Sequence, residues 1–149
     1  MIRVPLSARR LCSRSFSSSV ARPITFTRPL SKATATPRFA EGEDPHQLGQ
    51  DTQALLQGGW ALDADALGLT KTFYFKSYFK AVSFVNLIAS ESAVKKHHPT
   101  ITVRIGSVDV HWTTHHPRGL TVKDTAMARH CDQGAVLMRA VEAGQGQKC

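Results

Sequence analysis

The fold of this chain is decided by residues 77–113, which read SYFKAVSFVNLIASESAVKKHHPTITVRIGSVDVHWT. In the first half, apolar residues recur at the spacing of a helix that packs one face on a core: Tyr78, Ala81, Val82, Val85, Ile88 and Ala89. Ser77 is placed to cap this helix, and Pro99 forbids its continuation. In the second half, apolar and polar residues alternate on both sides of Gly106-Ser107, which predicts a hairpin of two strands with one buried face each.

The flanking segments extend the same pattern in both directions. A short helix capped by Asp51 is expected over 51–57, followed by a hairpin of Trp60–Leu62 and Lys71–Lys76. The Thr121-x-x-Asp124 capping box then starts a last helix that ends at Gly144. The order is helix, two strands, helix, two strands, helix. It predicts an α+β two-layer sandwich, with a four-stranded antiparallel sheet and the helices packed on one face.

The net charge of the chain belongs to its first 40 residues. Of the 19 Lys and Arg residues among the 149, eight lie there without any acidic residue, which leaves 11 basic and 11 acidic side chains in residues 41–149. The formal charge of +8 is therefore not a property of the predicted folded part. A basic nucleic-acid-binding face is not supported, and we expect no direct nucleic-acid partner.

The composition of this N-terminal segment is that of an organelle leader. It is rich in Arg, Ser and Thr, and arginines interrupt every apolar run that a secretory signal would need. We expect residues 1–45 to be a mitochondrial transit peptide with a disordered linker, residues 46–149 to form one domain, and the protein to reside in the matrix. The alternative is a disordered basic tail used for binding.

Two other classes of protein are disfavoured by composition. The longest apolar run, Val82–Ala89, falls far short of the roughly 20 residues of a membrane span, so no membrane partner is expected. The three cysteines, Cys12, Cys131 and Cys149, are too few and too scattered for a disulfide framework.

The strongest chemical signal is a set of histidines at the ends of predicted elements: His97, His98, His115 and His116. Imidazoles titrate near neutral pH, so neighbouring histidines can divide the roles of acid and base. The remaining three histidines, among them His111, are interpreted as surface or capping residues. Adjacent histidines point in different directions, and no second ligand pair has the spacing of a zinc site, so a metal is not expected.

Taken together, these residues resemble the family of pterin-4a-carbinolamine dehydratases, also known as dimerisation cofactors of a homeodomain transcription factor. The motifs are His97-His98-Pro99, Thr113-Thr114-His115 and Gly119-Leu120-Thr121 with Asp124. There are 17 positions from His98 to His115 and nine from His115 to Asp124. The resemblance extends over about residues 55–141.

The resemblance implies a function and a set of site residues. The family eliminates water from 4a-hydroxytetrahydrobiopterin to give the quinonoid dihydropterin, using neither a metal nor a cofactor, since the pterin is the substrate. The catalytic positions fall on His97, His98, His115 and Asp124. Our hypothesis is that His97 and His115 share the acid and base roles, His98 holds the pterin ring and Asp124 orients or charges a histidine. A homodimer or homotetramer is expected, because open sheet edges invite pairing.

Three departures from the family pattern, at Ala93, Ile101 and His116, place the walls of the pocket in question although the four catalytic positions are present. They keep a second class of function open. The chain would then be a non-catalytic pterin-binding or dimerisation module that serves another protein.

Overall fold

The structure is a computed structural model that describes residues 35–148. Its helices are α1 (Pro45–Gln57), α2 (Tyr78–Lys95) and α3 (Val122–Leu137), and its strands are β1 (Ala61–Leu62), β2 (Gly68–Tyr74), β3 (Thr100–Arg104), β4 (Ser107–His115) and β5 (Arg118–Gly119). The strands form one antiparallel sheet in the order β1-β2-β4-β3, and β5 pairs with the end of β4. The predicted α+β sandwich is confirmed. The strand β5 was not predicted, because two residues carry no periodicity.

The core lies between the sheet and the helices, and β4 shows how the sequence selects the buried face. Val108, Val110 and Trp112 are fully buried, whereas the residues between them are only partly covered. Phe84 of α2 contacts two aromatic rings from the β2 region, Phe73 at 4.9 Å and Phe75 at 5.2 Å between centroids. The alternation along β4 therefore leaves Asp109, His111, Thr113 and His115 on the face away from the helices.

Helix α2 agrees with the sequence prediction, whereas α1 begins earlier than predicted. Ser77 caps α2 through the backbone N–H of Lys80. The predicted start of α1 at Asp51 is wrong, since the helix starts at Pro45 and Asp44 caps it by accepting from the His46 N–H at 2.9 Å. Pro45, His46 and Gln47 are exposed, and Leu48 is the one buried residue in 45–50. A single buried apolar residue forms no repeat, so the periodicity did not indicate this part of the helix.

Helix α3 ends at Leu137, seven residues before the predicted end at Gly144. The chain leaves the helix at Arg139, which has a φ of 56°, and the Val141 N–H then donates to the Tyr74 carbonyl at 2.8 Å. Pairing with the end of β2 therefore replaces the last predicted turns of the helix.

Residues 38–40, which the sequence assigns to the leader and the start of its linker, form a strap across the sheet end beside β5. The Leu120 N–H donates to the Arg38 carbonyl, and the Ala40 N–H donates to the Leu120 carbonyl, each at 2.9 Å. Gly119 permits this approach because a Cβ there would lie 2.6 Å from the Ala40 nitrogen. Its φ of 142° is also one that residues with a side chain rarely adopt.

Candidate active site

The carboxylate of Asp124 is the centre of a buried polar cluster in the first turn of α3. Its side chain is fully buried, and Oδ2 accepts from the Thr121 N–H at 2.8 Å, the Thr121 hydroxyl at 2.9 Å and the Thr114 hydroxyl at 2.8 Å. The predicted capping box is present. Because the capping box and Thr114 satisfy only Oδ2, the second oxygen, Oδ1, is left for another donor.

That donor is His97, whose Nε2 lies 2.7 Å from Oδ1 of Asp124. The imidazole also stacks on Trp112, with 5.2 Å between ring centroids and 24° between the planes, and only 11% of its side chain is exposed. An ionised carboxylate can only accept, so in this pair the His97 Nε2–H donates to Oδ1 of Asp124. The pair therefore fixes both the orientation and the tautomer of the ring.

The end of α2 directs His97 into this position. Lys96 adopts the left-handed conformation with a φ of 51°, and the His97 N–H closes the helix on the Ser92 carbonyl at 3.1 Å. The chain then enters β3 at Thr100, which pairs with His111 of β4. Because β3 and β4 are antiparallel, His97 and His98 lie beside the last residues of β4, where His115 is found.

His98 and His115 are both exposed, unlike His97. Among the hydrogen bonds of the described residues, none joins either of them to His97 or Asp124. His115 leaves β4 on the face opposite Trp112, since their positions differ by three residues. The structure thus joins His97 to Asp124 in one buried pair and places His98 and His115 at the same end of the sheet, open to solvent.

Three residues of this cluster had no site role in the sequence analysis: Trp112, Thr114 and Thr121. Thr114 is part of the Thr-Thr-His motif and Thr121 part of the capping box, so their positions were noted without their bonds to Asp124. The alternation along β4 predicts only that Trp112 is a core residue. Its stacking on His97 could not be predicted, because it depends on how β3 and β4 pair. Only the tertiary structure brings Asp124 within reach of a histidine 27 residues away.

A second carboxylate–histidine pair, which the sequence did not predict, lies on the open face of the sheet. Asp63 Oδ2 is 2.9 Å from Nε2 of His111, and Oδ1 accepts from the Leu67 N–H at 2.9 Å. Burial opposes the ionisation of Asp63, but these hydrogen bonds and the charge of His111 outweigh it and hold the pKa of Asp63 below its ordinary value of 3.8. Asp63 and His111 are 48 residues apart, so no local pattern indicates the pair.

The other reactive groups in the described part of the chain do not form a second candidate site. Burial raises the pKa of the Cys131 thiol to about 12, so it is a core residue and not a nucleophile. Within residues 35–148, no three side chains of His, Cys, Asp or Glu are grouped so that they could hold a metal ion. No helix described in this part of the chain is long and apolar enough to cross a membrane.

Comparisons with known proteins agree with the family resemblance of the motifs. The family model described as pterin 4 alpha carbinolamine dehydratase matches residues 44–134. A relative from Thermomicrobium roseum, named "Putative pterin-4-alpha-carbinolamine dehydratase", is 41% identical over 71 residues, which are 48% of this chain and 74% of the relative. A relative of the same name from Xanthomonas oryzae is 36% identical over 113 residues, which are 71% of this chain and 93% of the relative.

A solved structure extends the agreement to the fold. The crystal structure described as a transcriptional coactivator/pterin dehydratase from Brucella melitensis aligns with a TM-score of 0.56 at 28% identity, over 62% of this chain and 96% of that one. The chain belongs to the pterin-4-alpha-carbinolamine dehydratase family.

Proposed function

We propose that this protein is an active 4a-hydroxytetrahydropterin dehydratase, a hydro-lyase that recycles a pterin after it has been hydroxylated. The observation that carries the proposal is that the connection between α2 and β3, which holds His97 and His98, and the end of β4, which holds His115, lie at one end of the sheet, where Asp124 anchors His97. Membership of the family supports the reaction class. The relatives' names supply the substrate class, a pterin carbinolamine.

The reaction needs two proton transfers, and the exposure of the histidines suggests how they are shared. The bond between C4a and its hydroxyl breaks as the departing oxygen receives a proton, and a base removes the N5 proton as the N5–C4a double bond forms. Of the three histidines His97, His98 and His115, the last two are exposed, so we assign them the contact with the substrate and the acid and base roles. His97 is largely buried against Trp112 and Asp124, so we assign it the positioning of this segment, which revises the division of roles expected from the sequence.

The test is a dehydration assay with chemically generated 4a-carbinolamine, followed by the absorbance of the quinonoid product. His98→Ala and His115→Ala are each expected to lower kcat by roughly 10²- to 10⁴-fold, the usual contribution of a positioned acid or base. His46→Ala, a histidine on the exposed side of α1, is the matched control and should leave kcat unchanged. Wild-type turnover in both site variants would overturn the assignment.

The competing function, a pterin-binding or dimerisation module without turnover, gives a different result in the same experiment. It predicts that the wild-type protein binds a pterin analogue, or a partner protein, but accelerates dehydration no more than the His98→Ala variant does.

We further propose a mitochondrial location, on the composition of the first 40 residues, all of which but the last six lie outside the described part. A fusion of residues 1–45 to a fluorescent reporter tests this, and a nuclear or cytosolic signal would contradict it. The proposed assembly into a homodimer or homotetramer is supported by exposed apolar side chains on two helices, which include Phe79 at 80% and Val136 at 78% exposure.

A further inference from the structure

A hollow of about 290 Å³ lies at the sheet end that carries His115. It is lined by Arg38, Asp65, Leu67 and Arg118. The two arginines are 80 positions apart in the chain, and neither belongs to the site described above. We therefore consider which ligand the two arginines could bind in this hollow.

The positions of both arginines are fixed by the backbone. The Arg38 N–H donates to the Ala66 carbonyl at 2.8 Å, and the Arg38 carbonyl accepts from Leu120 at 2.9 Å. Arg118 lies in β5, which pairs with β4. The strap of residues 38–40 and the short strand β5 thus hold two cationic side chains on one hollow.

The hollow adjoins the candidate active site through β4. Arg118 is the direct cross-strand partner of His115, so the two side chains lie on the same face of the β4–β5 hairpin, with Cβ atoms about 5 Å apart. Leu67 is held to the same face, because its carbonyl accepts from the Thr113 hydroxyl at 2.9 Å. A substituent of a pterin that contacts His115 could therefore reach the hollow.

The charges of the hollow favour an anion. Asp65 lies 3.6 Å from Arg118, but both side chains are about 70% exposed, and such surface pairs contribute little free energy. Among the ion pairs of the described residues, none involves Arg38. Guanidinium groups match the geometry of phosphate oxygens, and two of them suit a doubly charged group.

We propose that Arg38 and Arg118 bind a phosphate monoester on the side chain of the pterin, so that the preferred substrate is a phosphorylated pterin carbinolamine. This inference rests on the proposed dehydratase function and names the substrate class of the same site. Asp65 opposes the bound anion and reduces the affinity for it.

The experiment compares two substrates, the 4a-carbinolamines of tetrahydrobiopterin, which is uncharged on its side chain, and of tetrahydroneopterin 3′-phosphate. The full chain is expected to have a lower KM for the phosphorylated substrate. Arg118→Gln and Arg38→Gln should each raise that KM by about fivefold to tenfold, while the KM for the uncharged substrate changes less than twofold. Asp65→Asn should lower the KM for the phosphorylated substrate, and added salt should weaken all three effects.

Arg104→Gln is the matched control, since it removes the same charge from an exposed arginine that pairs with the other end of β4, about 26 Å from His115. Equal KM values for the two substrates, or values that the arginine variants do not change, would overturn the inference while leaving the dehydratase function intact. If neither substrate is turned over, the proposed function fails. The inference is then tested separately by calorimetric binding of tetrahydroneopterin 3′-phosphate. Competition with inorganic phosphate distinguishes a subsite for the phosphorylated pterin from a site for the free anion.

Discussion

At the scale of single residues, the most consequential group is the Asp124 carboxylate, which serves a helix and a histidine at once. One oxygen completes the N-terminus of α3 and the other holds His97. Four hydrogen-bond donors surround this carboxylate and compensate for its burial. Removing its charge would leave several of these donors without a good acceptor. Structural and positioning effects must therefore be separated when this residue is changed.

Asp124→Asn is expected to lower the free energy of unfolding by about 2 kcal/mol, because an amide places a donor where only acceptors fit. It should also lower kcat by about tenfold to a hundredfold with little change in KM, as the ring of His97 loses its orientation. Urea unfolding and the dehydration assay measure the two effects.

The matched control for this prediction is Asp132→Asn on the same helix, where the carboxylate binds Lys71 at 2.7 Å and Trp60 at 3.0 Å away from the histidines. It should destabilise the protein without a change in kcat. A kcat that falls equally in both variants would show that Asp124 acts through stability alone.

Asp63 provides a prediction of pH dependence, because its pKa is lowered by folding. A carboxylate with a depressed pKa stabilises the folded state above its unfolded pKa, here near 3.8, and this contribution is lost as the pH falls through the folded-state value. Asp63→Asn should therefore reduce the free energy of unfolding at pH 7, and the difference from wild type should shrink below pH 4. Urea titrations at pH 7, 5 and 3 measure it, and a difference independent of pH would refute the role of the charge.

At the scale of elements, the sequence predicted those that carry a strong periodicity or a cap with apolar residues behind it. The start of α2 at Ser77 and the hairpin of β3 and β4 follow directly from such patterns. The first turn of α1, the early end of α3 and the strand β5 could not be predicted, since each depends on a contact with a distant segment or on exposed polar residues. In the site, the family resemblance implied that Asp124 orients a histidine, but it did not identify which one. That His97 is the partner depends on the tertiary structure.

The cap of α2 is expected to stabilise the protein measurably. Ser77→Ala removes the oxygen that accepts from Lys80 and should cost about 1 kcal/mol of unfolding free energy. Ser90→Ala in the middle of the same helix, where the hydroxyl only bonds the Asn86 carbonyl, should be neutral or slightly stabilising. Chemical denaturation of the two variants compares them, and equal losses would contradict a capping role.

The strap beside β5 is expected to depend on the absence of a side chain at Gly119. Gly119→Ala adds a Cβ within 2.6 Å of the Ala40 nitrogen, so the strap has to move away from β5. Gly42→Ala is the matched control, because Gly42 has a φ of 90° but nothing within 4 Å of its Cβ position. Thermal unfolding should show that Gly119→Ala lowers the free energy of unfolding by about 1 kcal/mol or more beyond the effect of Gly42→Ala. Equal decreases in the free energy of unfolding would mean that the close approach of the strap to Gly119 does not contribute to stability.

At the scale of the whole molecule, the described part combines a nearly balanced charge, with 12 basic and 11 acidic side chains, with large exposed apolar side chains on the helices. Phe79 at the start of α2 and Val136 near the end of α3 are among the most exposed. Apolar side chains of this size would be covered by a second copy of the chain in the proposed homo-oligomer.

Phe79→Asp and Val136→Asp are expected to shift the protein to a smaller species in sedimentation velocity, because a charge on either side chain would have to be desolvated in the interface. The secondary structure should not change, since both side chains lie outside the core. Ser90→Asp on an exposed polar position of α2 is the control. If the wild-type protein sediments as a monomer, the proposed assembly is wrong.

The strap of residues 38–40 sets a limit on how an N-terminal leader can be removed. Cleavage between Phe39 and Pro45 would take away Arg38 and break the bonds that Leu120 makes, so the product would lose both an edge of the fold and one wall of the hollow. A mature terminus compatible with this structure therefore lies at or before Arg38. Mass spectrometry of the protein isolated from its native cells would locate that terminus directly.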